Sequence, residues 1–595
     1  GEVRTDAFTF VTNAQIAPPR LEYVIVQGVQ EQVDDEVQEV DVLAQVSSLA
    51  VSSRLLDTSL TYPEVEAILG RLESSTPIMV GVAKVLGYLD GNVVRFPRHA
   101  AMPGSEVHLA PNQLLQQFFS HNIESGVEIG TLINRPTVGV LLDPNGLRRH
   151  LAVIAQTGAG KSYTVGVILE RLLELGGTIV VFDPNSDYVL MRRDERQRPT
   201  SFAGRVEVYR LPSGQKGRIS DQAIGKTRRF QVQFSKLEVD EICAMTGISE
   251  KWANVRKAIR TAYDNLQGTD YTPHMFVQEL HRLSQGGHAG MAGGGRRPIS
   301  PAIGDEEEFE EYFRSQTARK AGLEPQPPAD DFESWFPEGR EPPSEAERPP
   351  REAKDEQPIT LDVISGAGRA LKYIERLERV DIWGFEDVPM DDLLRPMSLS
   401  VIDLAGVDQW IAEFVVNKVL QETWSQAVTD GLTRPVFIVL EEAHNFVPGG
   451  RGDYSQSAAI IKRIASEGRK FGIFLVLITQ RPYRIHQDTL SQCNSQIIMR
   501  LTNPEDQSAV RRASESISEG LLADLPGLNV GEAVVLGPLV RVPVMVRVGK
   551  RQSQEGGSDI DVVKALERAR SEVITEEMEK KSKKGRKRTE WKEEV

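Results

Sequence analysis

Residues 155–162 read Ala-Gln-Thr-Gly-Ala-Gly-Lys-Ser, a spacing suited to holding phosphate. An apolar run, 151–155, precedes them, and a helical pattern from Tyr163 to Leu175 follows, ended by Gly176 and Gly177. In that setting successive backbone N–H groups at a helix N-terminus point at an anion, and the helix dipole favours it. Gly158 and Gly160 allow the unusual dihedrals and the close approach. Gln156, Thr157 and Ala159 complete the cradle, Lys161 reaches β- and γ-phosphates, and Ser162 offers a hydroxyl to Mg²⁺. Ala155 stands where the usual pattern begins with Gly. The expected ligand is ATP with Mg²⁺.

Hydrolysis needs a carboxylate near the metal and a group that positions water. The run 436–440 is apolar and ends in Glu441 and Glu442. Successive strand residues point to opposite sides, so the two acids are expected to divide these roles. Glu441 is assigned to the Mg²⁺ shell and Glu442 to the attacking water. His444, next to them, suits packing or hydrogen bonding better than base catalysis. Gln480, at the end of the run 473–479, fits a sensor of the γ-phosphate. Arg469, in Glu467-Gly468-Arg469-Lys470, is the candidate to stabilise charge on the transferring phosphoryl group from a neighbouring subunit. Asp183 ends the run 178–182. Two readings of it stay open: a carboxylate beside the ligand crevice, or an ordinary capped turn.

The elements that must carry these groups form an α/β series. Strand-length apolar runs at 151–155, 178–182, 399–404, 436–440, 473–479 and 497–501 alternate with helical stretches, which predicts a buried, mostly parallel sheet. Residues 1–115 are β-rich and suit a small barrel. Residues 116–234 form the first part of the core, reaching it through a connecting segment, and 397–550 the second part. Between them, 235–396 reads as a helical insertion, with Ser235 and Glu238 as a capping box and Thr272-Pro273 as a second helix start. Within it, 284–358 is Gly-, Pro- and Glu-rich and cannot bury enough apolar surface to order itself. Residues 551–595 read as a charged tail whose basic run, 580–588, suits a solvated end, with a nucleic-acid or partner contact as the alternative.

The 595 residues exceed one ordinary core, and 40% hydrophobic with 26% charged residues fits a globular protein. No apolar run is long enough to span a membrane. The two cysteines, Cys243 and Cys493, sit outside any metal spacing and read as buried thiols of a cytoplasmic protein. The net charge of −15 counts mildly against a passive DNA-coating protein, but not against a ring with a basic channel.

Taken in order, several stretches resemble the HerA family, in the HerA/FtsK branch of RecA-like ring ATPases. They are Arg149-His150-Leu151 leading into 155–162, Phe182-Asp183-Pro184-Asn185-Ser186-Asp187-Tyr188, Val401-Ile402-Asp403-Leu404, and Glu441-Glu442-Ala443-His444-Asn445-Phe446. Then come Glu467-Gly468-Arg469-Lys470-Phe471-Gly472, Thr479-Gln480-Arg481-Pro482 and Ser491-Gln492-Cys493-Asn494. The resemblance implies a RecA-like α/β core with an inserted helical subdomain and a small N-terminal β-barrel. It also implies a homohexamer with ATP at subunit interfaces and double-stranded DNA in the channel, partnered by a NurA-like nuclease in processing DNA ends for recombinational repair. It supports Arg469 as a finger acting in trans and suggests Arg149 as a second arginine near the nucleotide. Glu441, where Asp is commoner, and Asn185-Ser186-Asp187, where the family tends to have His-Gly-Glu, depart from its pattern.

Two other functions share these motifs. A conjugative coupling ATPase would usually carry N-terminal membrane helices. A nucleotide-gated scaffold would assemble an effector, for example in anti-phage defence, while translocating little. Arg451 is a candidate channel residue, with a solvated loop charge as the alternative.

Overall fold

The computed structural model describes every residue except 1–2, 14, 34–35, 52–77, 121–125, 212–218, 287–358, 451–454, 558–561, 564–565, 569 and 572–595. The Gly- and Pro-rich segment therefore lies almost wholly outside the described residues, as do Arg451 and the basic run 580–588. The chain forms two compact units, one comprising Gly1–Phe230 with Val388–Val595 and the other Gln231–Asp387. Among the described residues no helix is long and apolar enough to cross a membrane.

The first unit opens with six strands: β1 (Ala7–Asn13), β2 (Tyr23–Val33), β3 (Glu36–Val51), β4 (Ile78–Asp90), β5 (Val93–Arg95) and β6 (Val107–Leu109). They pair antiparallel in the order β1-β4-β3-β2-β6, with β5 on β4. Among the described residues no ladder joins β1 to β6, so the expected barrel is a half-barrel. Its longest strand, β3, was not read from the sequence because acids and glutamines dilute its apolar alternation.

Helix α1 (Asn112–Phe119) leads to a second sheet of twelve strands. These are β7 (Val127–Leu132), β8 (Arg135–Leu142), β9 (Leu151–Ile154), β10 (Thr178–Asp183), β11 (Val206–Arg210), β12 (Arg228–Arg229), β13 (Leu399–Asp403), β14 (Val436–Leu440), β15 (Ile473–Thr479), β16 (Ser495–Met499), β17 (Glu532–Leu536) and β18 (Val544–Val548). Their order is β12-β11-β13-β10-β14-β15-β9-β16-β17-β18-β7-β8. The ladders from β12 to β16 are parallel, and those from β16 to β8 are antiparallel.

Strands buried on both faces read as near-continuous apolar runs, as β9 and β14 do and β15 does up to Thr479. The 127–142 stretch, expected as a connector, is the β7–β8 hairpin at one sheet edge. Strand β16 begins two residues earlier than its apolar run suggests. Ser495 and Gln496 are polar but buried, because the Ser495 hydroxyl donates to the Gly146 carbonyl and the Gln496 amide to the Cys493 and Ala513 carbonyls.

Helix α2 (Lys161–Glu174) follows β9 and stops where Gly176 takes a φ of +86°, its N–H and that of Gly177 closing onto the Leu173 and Leu172 carbonyls.

The second unit holds α3 (Val239–Thr246), α4 (Ala253–Leu266), α5 (Pro273–Ser284) and α6 (Leu361–Ile374). Phe234 anchors it, edge-on to Tyr271, Phe276 and Trp383. The expected capping box at Ser235 is displaced. Phe234 and Leu237 both enter the core, which curls residues 234–236 into a 3₁₀ turn, and Glu238 with Glu241 forms the box three residues later. Gly247, at φ +71°, ends α3, so the single long helix expected to Leu266 is two. Thr272 caps α5 by accepting from the Met275 N–H, with Pro273 in the first turn. Both cysteines are buried free thiols.

Candidate nucleotide site

Parallel strands open a ligand crevice at their C-terminal edge. Here β9, β14, β15 and β10 deliver the loop 155–160, Glu441 with Glu442, Gln480 and Asp183 to that edge. The loop is tied to its neighbours: the Ala155 N–H donates to the Thr479 carbonyl and the Gln156 N–H to the Arg500 carbonyl. Gly158 and Gly160 take φ of +75° and +94°, conformations that cost an L side chain strain. Gly160 caps α2, leaving the first-turn N–H groups facing the crevice.

Lys161 is buried, and its Nζ lies 2.5 Å from Glu441 Oε1 and 2.7 Å from Glu442 Oε1. Burial works to lower the Lys161 pKa, but the two carboxylates outweigh it and hold it raised. The expected division of the two acids to opposite sides does not occur. Glu442 follows the strand end in the left-handed region, at φ +50°, and this turns both carboxylates toward one ammonium. What separates them is access. Glu441 is fully buried, with Oε2 accepting from the Tyr188 hydroxyl at 3.1 Å, and burial pushes its pKa up to about 7 against the pull of Lys161. Glu442 retains 9% exposure.

Gln480 joins the strand ends to the loop. Its Nε2 donates to Glu442 Oε1 at 2.6 Å, and its Oε1 accepts from the Thr157 hydroxyl. His444 Nδ1 lies 3.2 Å from Thr479 Oγ1 and 3.3 Å from Glu442 Oε2, and burial lowers its pKa to about 4. It is a neutral hydrogen-bonding group at physiological pH. The Gln156 side chain turns to the Thr502 N–H and hydroxyl, bracing the loop. Ala159 is buried, its carbonyl accepting from the Gly531 N–H.

Asp183 takes the turn reading. Its carboxylate accepts from the backbone N–H groups of Asn185, Asp187 and Tyr188, and burial, with Asp187 and Asp403 nearby, raises its pKa well above the ordinary range. The carboxylate that reaches the loop is Asp187, whose Oδ2 accepts from the Ser162 hydroxyl at 2.8 Å. Sequence reasoning passed over Asp187 and Tyr188 as site residues. Their signals were an acid and an aromatic just beyond a strand end, within the stretch 182–188 that resembles the HerA family.

Arg149 and Arg469 lie at the other edge. Arg149 precedes β9 and Arg469 precedes β15, two adjacent parallel strands in which Leu151 sits opposite Val476. Strand β9 alone separates Arg149 from its own loop by roughly 13 Å, at about 3.3 Å per residue. Neither arginine therefore reaches the nucleotide site of its own chain. Both are exposed, and neither has an ion-pair partner among the described residues. Between them His150 is buried, its Nε2 3.0 Å from the Ala465 carbonyl oxygen and its Nδ1 accepting from the Leu475 N–H at 2.9 Å.

The family described as "Helicase HerA, central domain" matches residues 127–423. A probable helicase of Methanocaldococcus jannaschii is 28% identical over 96% of this chain and 93% of its own length. The DNA double-strand break repair helicase HerA of Pyrococcus furiosus is 27% identical over 86% of each chain. Among solved structures, the bacterial conjugative coupling protein TrwB is 13% identical, covers 76% of this chain and 94% of its own, and superposes with a TM-score of 0.43.

Proposed function

Because the chain belongs to the HerA family of P-loop ATPases, we propose that it couples ATP hydrolysis to translocation along double-stranded DNA in double-strand break repair. In this reading it works as a homohexameric ring, with a NurA-like nuclease as partner at ends being resected. The observation that carries it is the convergence of Lys161, Glu442 and Gln480 at one sheet edge while Arg149 and Arg469 occupy the opposite edge. In this arrangement Arg149 and Arg469 can serve a nucleotide only across a contact between copies, which suits a ring with nucleotide between subunits.

The loop 155–162 would cradle the triphosphate, with the first-turn N–H groups of α2 on the β-phosphate. Lys161 would exchange its carboxylate partners for phosphate oxygens. Glu442, the more accessible acid, would then be free to orient water, with Gln480 reporting on the γ-phosphate through Glu442 and Thr157. Arg469 of a neighbouring copy, supported by Arg149, would stabilise charge on the phosphoryl group.

The donor set suits Mg²⁺. All its atoms are hard oxygens (Ser162, Asp187, Glu441, Glu442), and the two buried glutamates converge on a single cation, Lys161, at 2.5 and 2.7 Å. Bound there with the nucleotide, Mg²⁺ would neutralise charge between the β- and γ-phosphates.

The test is ATP turnover by the purified chain with and without linear duplex DNA, alongside particle images taken with an ATP analogue and duplex. Strong stimulation by duplex and a six-fold ring enclosing it support the reading. Turnover indifferent to duplex, from particles that do not enclose it, overturns it.

A further inference from the structure

Residues 551–557 fall in the stretch read from sequence as a charged tail, yet they pack along α2 and the turn after β10. Arg551 is the anchor. Its guanidinium is buried, with Nη1 donating to the Ser162 carbonyl at 3.2 Å, Nε to Ser553 Oγ at 3.0 Å and Nη2 to the Gln554 carbonyl at 3.2 Å. It lies in a notch of α2 made by Gly166, where an added Cβ would stand 2.4 Å from Arg551 Nε. The next two backbone N–H groups, of Gln552 and Ser553, donate to the fully buried carboxylate of Glu170, one turn further along α2.

The segment then crosses to the turn that holds Asp187. The Gly556 N–H donates to the Asp187 carbonyl at 3.0 Å, and the Gly557 N–H to the Ser186 carbonyl at 3.1 Å. Both glycines are required by contact. A Cβ on Gly556 would fall 1.8 Å from the Ser186 carbonyl oxygen, and one on Gly557 would fall 2.0 Å from Asp187 Oδ1. The segment thus holds Ser162 by its carbonyl and Asp187 by its backbone, the two residues whose side chains meet at 2.8 Å on the metal side of the loop.

We infer that residues 551–557 are a positioning strap that fixes Asp187 against Ser162, and so set how tightly the site binds nucleotide with its divalent cation. The inference rests on the reading that Ser162 and Asp187 face that cation. A buried guanidinium and a buried carboxylate spent on a seven-residue segment cost desolvation that simple chain termination does not require. Groups that orient metal-side ligands without touching the metal commonly govern affinity.

The experiment measures equilibrium binding of a fluorescent ADP to the full chain in excess Mg²⁺ and in EDTA. Gly557→Ala adds one methyl group against the Asp187 carboxylate, and Arg551→Met removes the anchor's donors while keeping bulk. Apparent melting temperatures check that both variants fold. The wild type should bind more tightly with Mg²⁺. Both variants should lose about tenfold of the affinity in Mg²⁺, with the affinity in EDTA unchanged. Undiminished enhancement by Mg²⁺ in both variants overturns the strap alone, as does an equal loss with and without Mg²⁺, which would make the segment general packing for the loop. Wild-type binding that ignores Mg²⁺ overturns the metal-side reading and the strap with it.

Discussion

Lys161 Nζ and Glu442 Oε1 meet at 2.7 Å although 281 positions separate them in the chain. The pairing brings the ammonium proposed to bind phosphate and the carboxylate proposed to orient water to one point, so their loss should differ in kind. Lys161→Ala is expected to abolish nucleotide binding. Glu442→Gln keeps the shape but removes the carboxylate charge, so nucleotide should still bind while hydrolysis falls by about 10²–10⁴-fold. Fluorescent-nucleotide binding and phosphate release measured on the same preparations check this. Near-normal turnover in Glu442→Gln would remove Glu442 from that role.

Gln480 bonds both Glu442 and Thr157. Its amide therefore holds the carboxylate in place and senses the loop at once. Gln480→Ala should lower kcat by roughly 10²-fold, the scale of a small misplacement of a catalytic group, with little change in nucleotide affinity. Steady-state kinetics beside equilibrium binding separate the two effects. A change in KM with kcat preserved would mean that Gln480 serves binding instead.

The strand–loop–helix turn at 151–174 was legible because it is local: its parts are continuous in sequence, and its dihedrals are written in Gly158 and Gly160. The parallel sheet was legible for the same reason, since doubly buried strands announce themselves as apolar runs. What escaped depends on tertiary packing. Glu442 departs from strand alternation because the chain turns left-handed there, a conformation no pattern of residue types at 436–442 announces. Asp187 gains its place because Asp183 spends its own carboxylate on the turn. Residues 551–557 look like tail by composition, since the glutamate and helix face they pack on lie some 380 positions away. The hairpin of β7 and β8 reads as a connector because its sheet partner, β18, is equally remote.

His150 makes a prediction about acid. Its Nδ1 accepts a backbone N–H, so a second proton would have to enter where a donor already points. Burial lowers its pKa to about 4, with Arg469 adding to the effect against the Ala465 carbonyl bond. A histidine whose folded pKa lies below its unfolded value of about 6.5 contributes stability that is present above that pH and is lost as pH falls toward 4, here roughly 3 kcal/mol. The apparent melting temperature should therefore fall over this window. In His150→Gln it should start lower at pH 7.5 and fall less steeply. Parallel curves for the two proteins would show that His150 does not carry the effect.

Arg469 supplies the sharpest test of assembly. It stands at the edge of the sheet opposite its own phosphate loop, so within one chain it has no route to the γ-phosphate. Arg469→Ala should assemble normally and lose about 10³–10⁵-fold in turnover, the scale of an arginine finger. Mixed with Glu442→Gln subunits, it should regain activity. An interface where the Arg469→Ala chain contributes the loop and Glu442, and the Glu442→Gln chain contributes the arginine, is complete in every part. If the arginine served its own chain, every subunit in the mixture would carry one broken site and no combination could restore turnover. Phosphate release across a range of mixing ratios distinguishes the two cases: a maximum at intermediate ratios requires action between subunits, and a flat baseline excludes it.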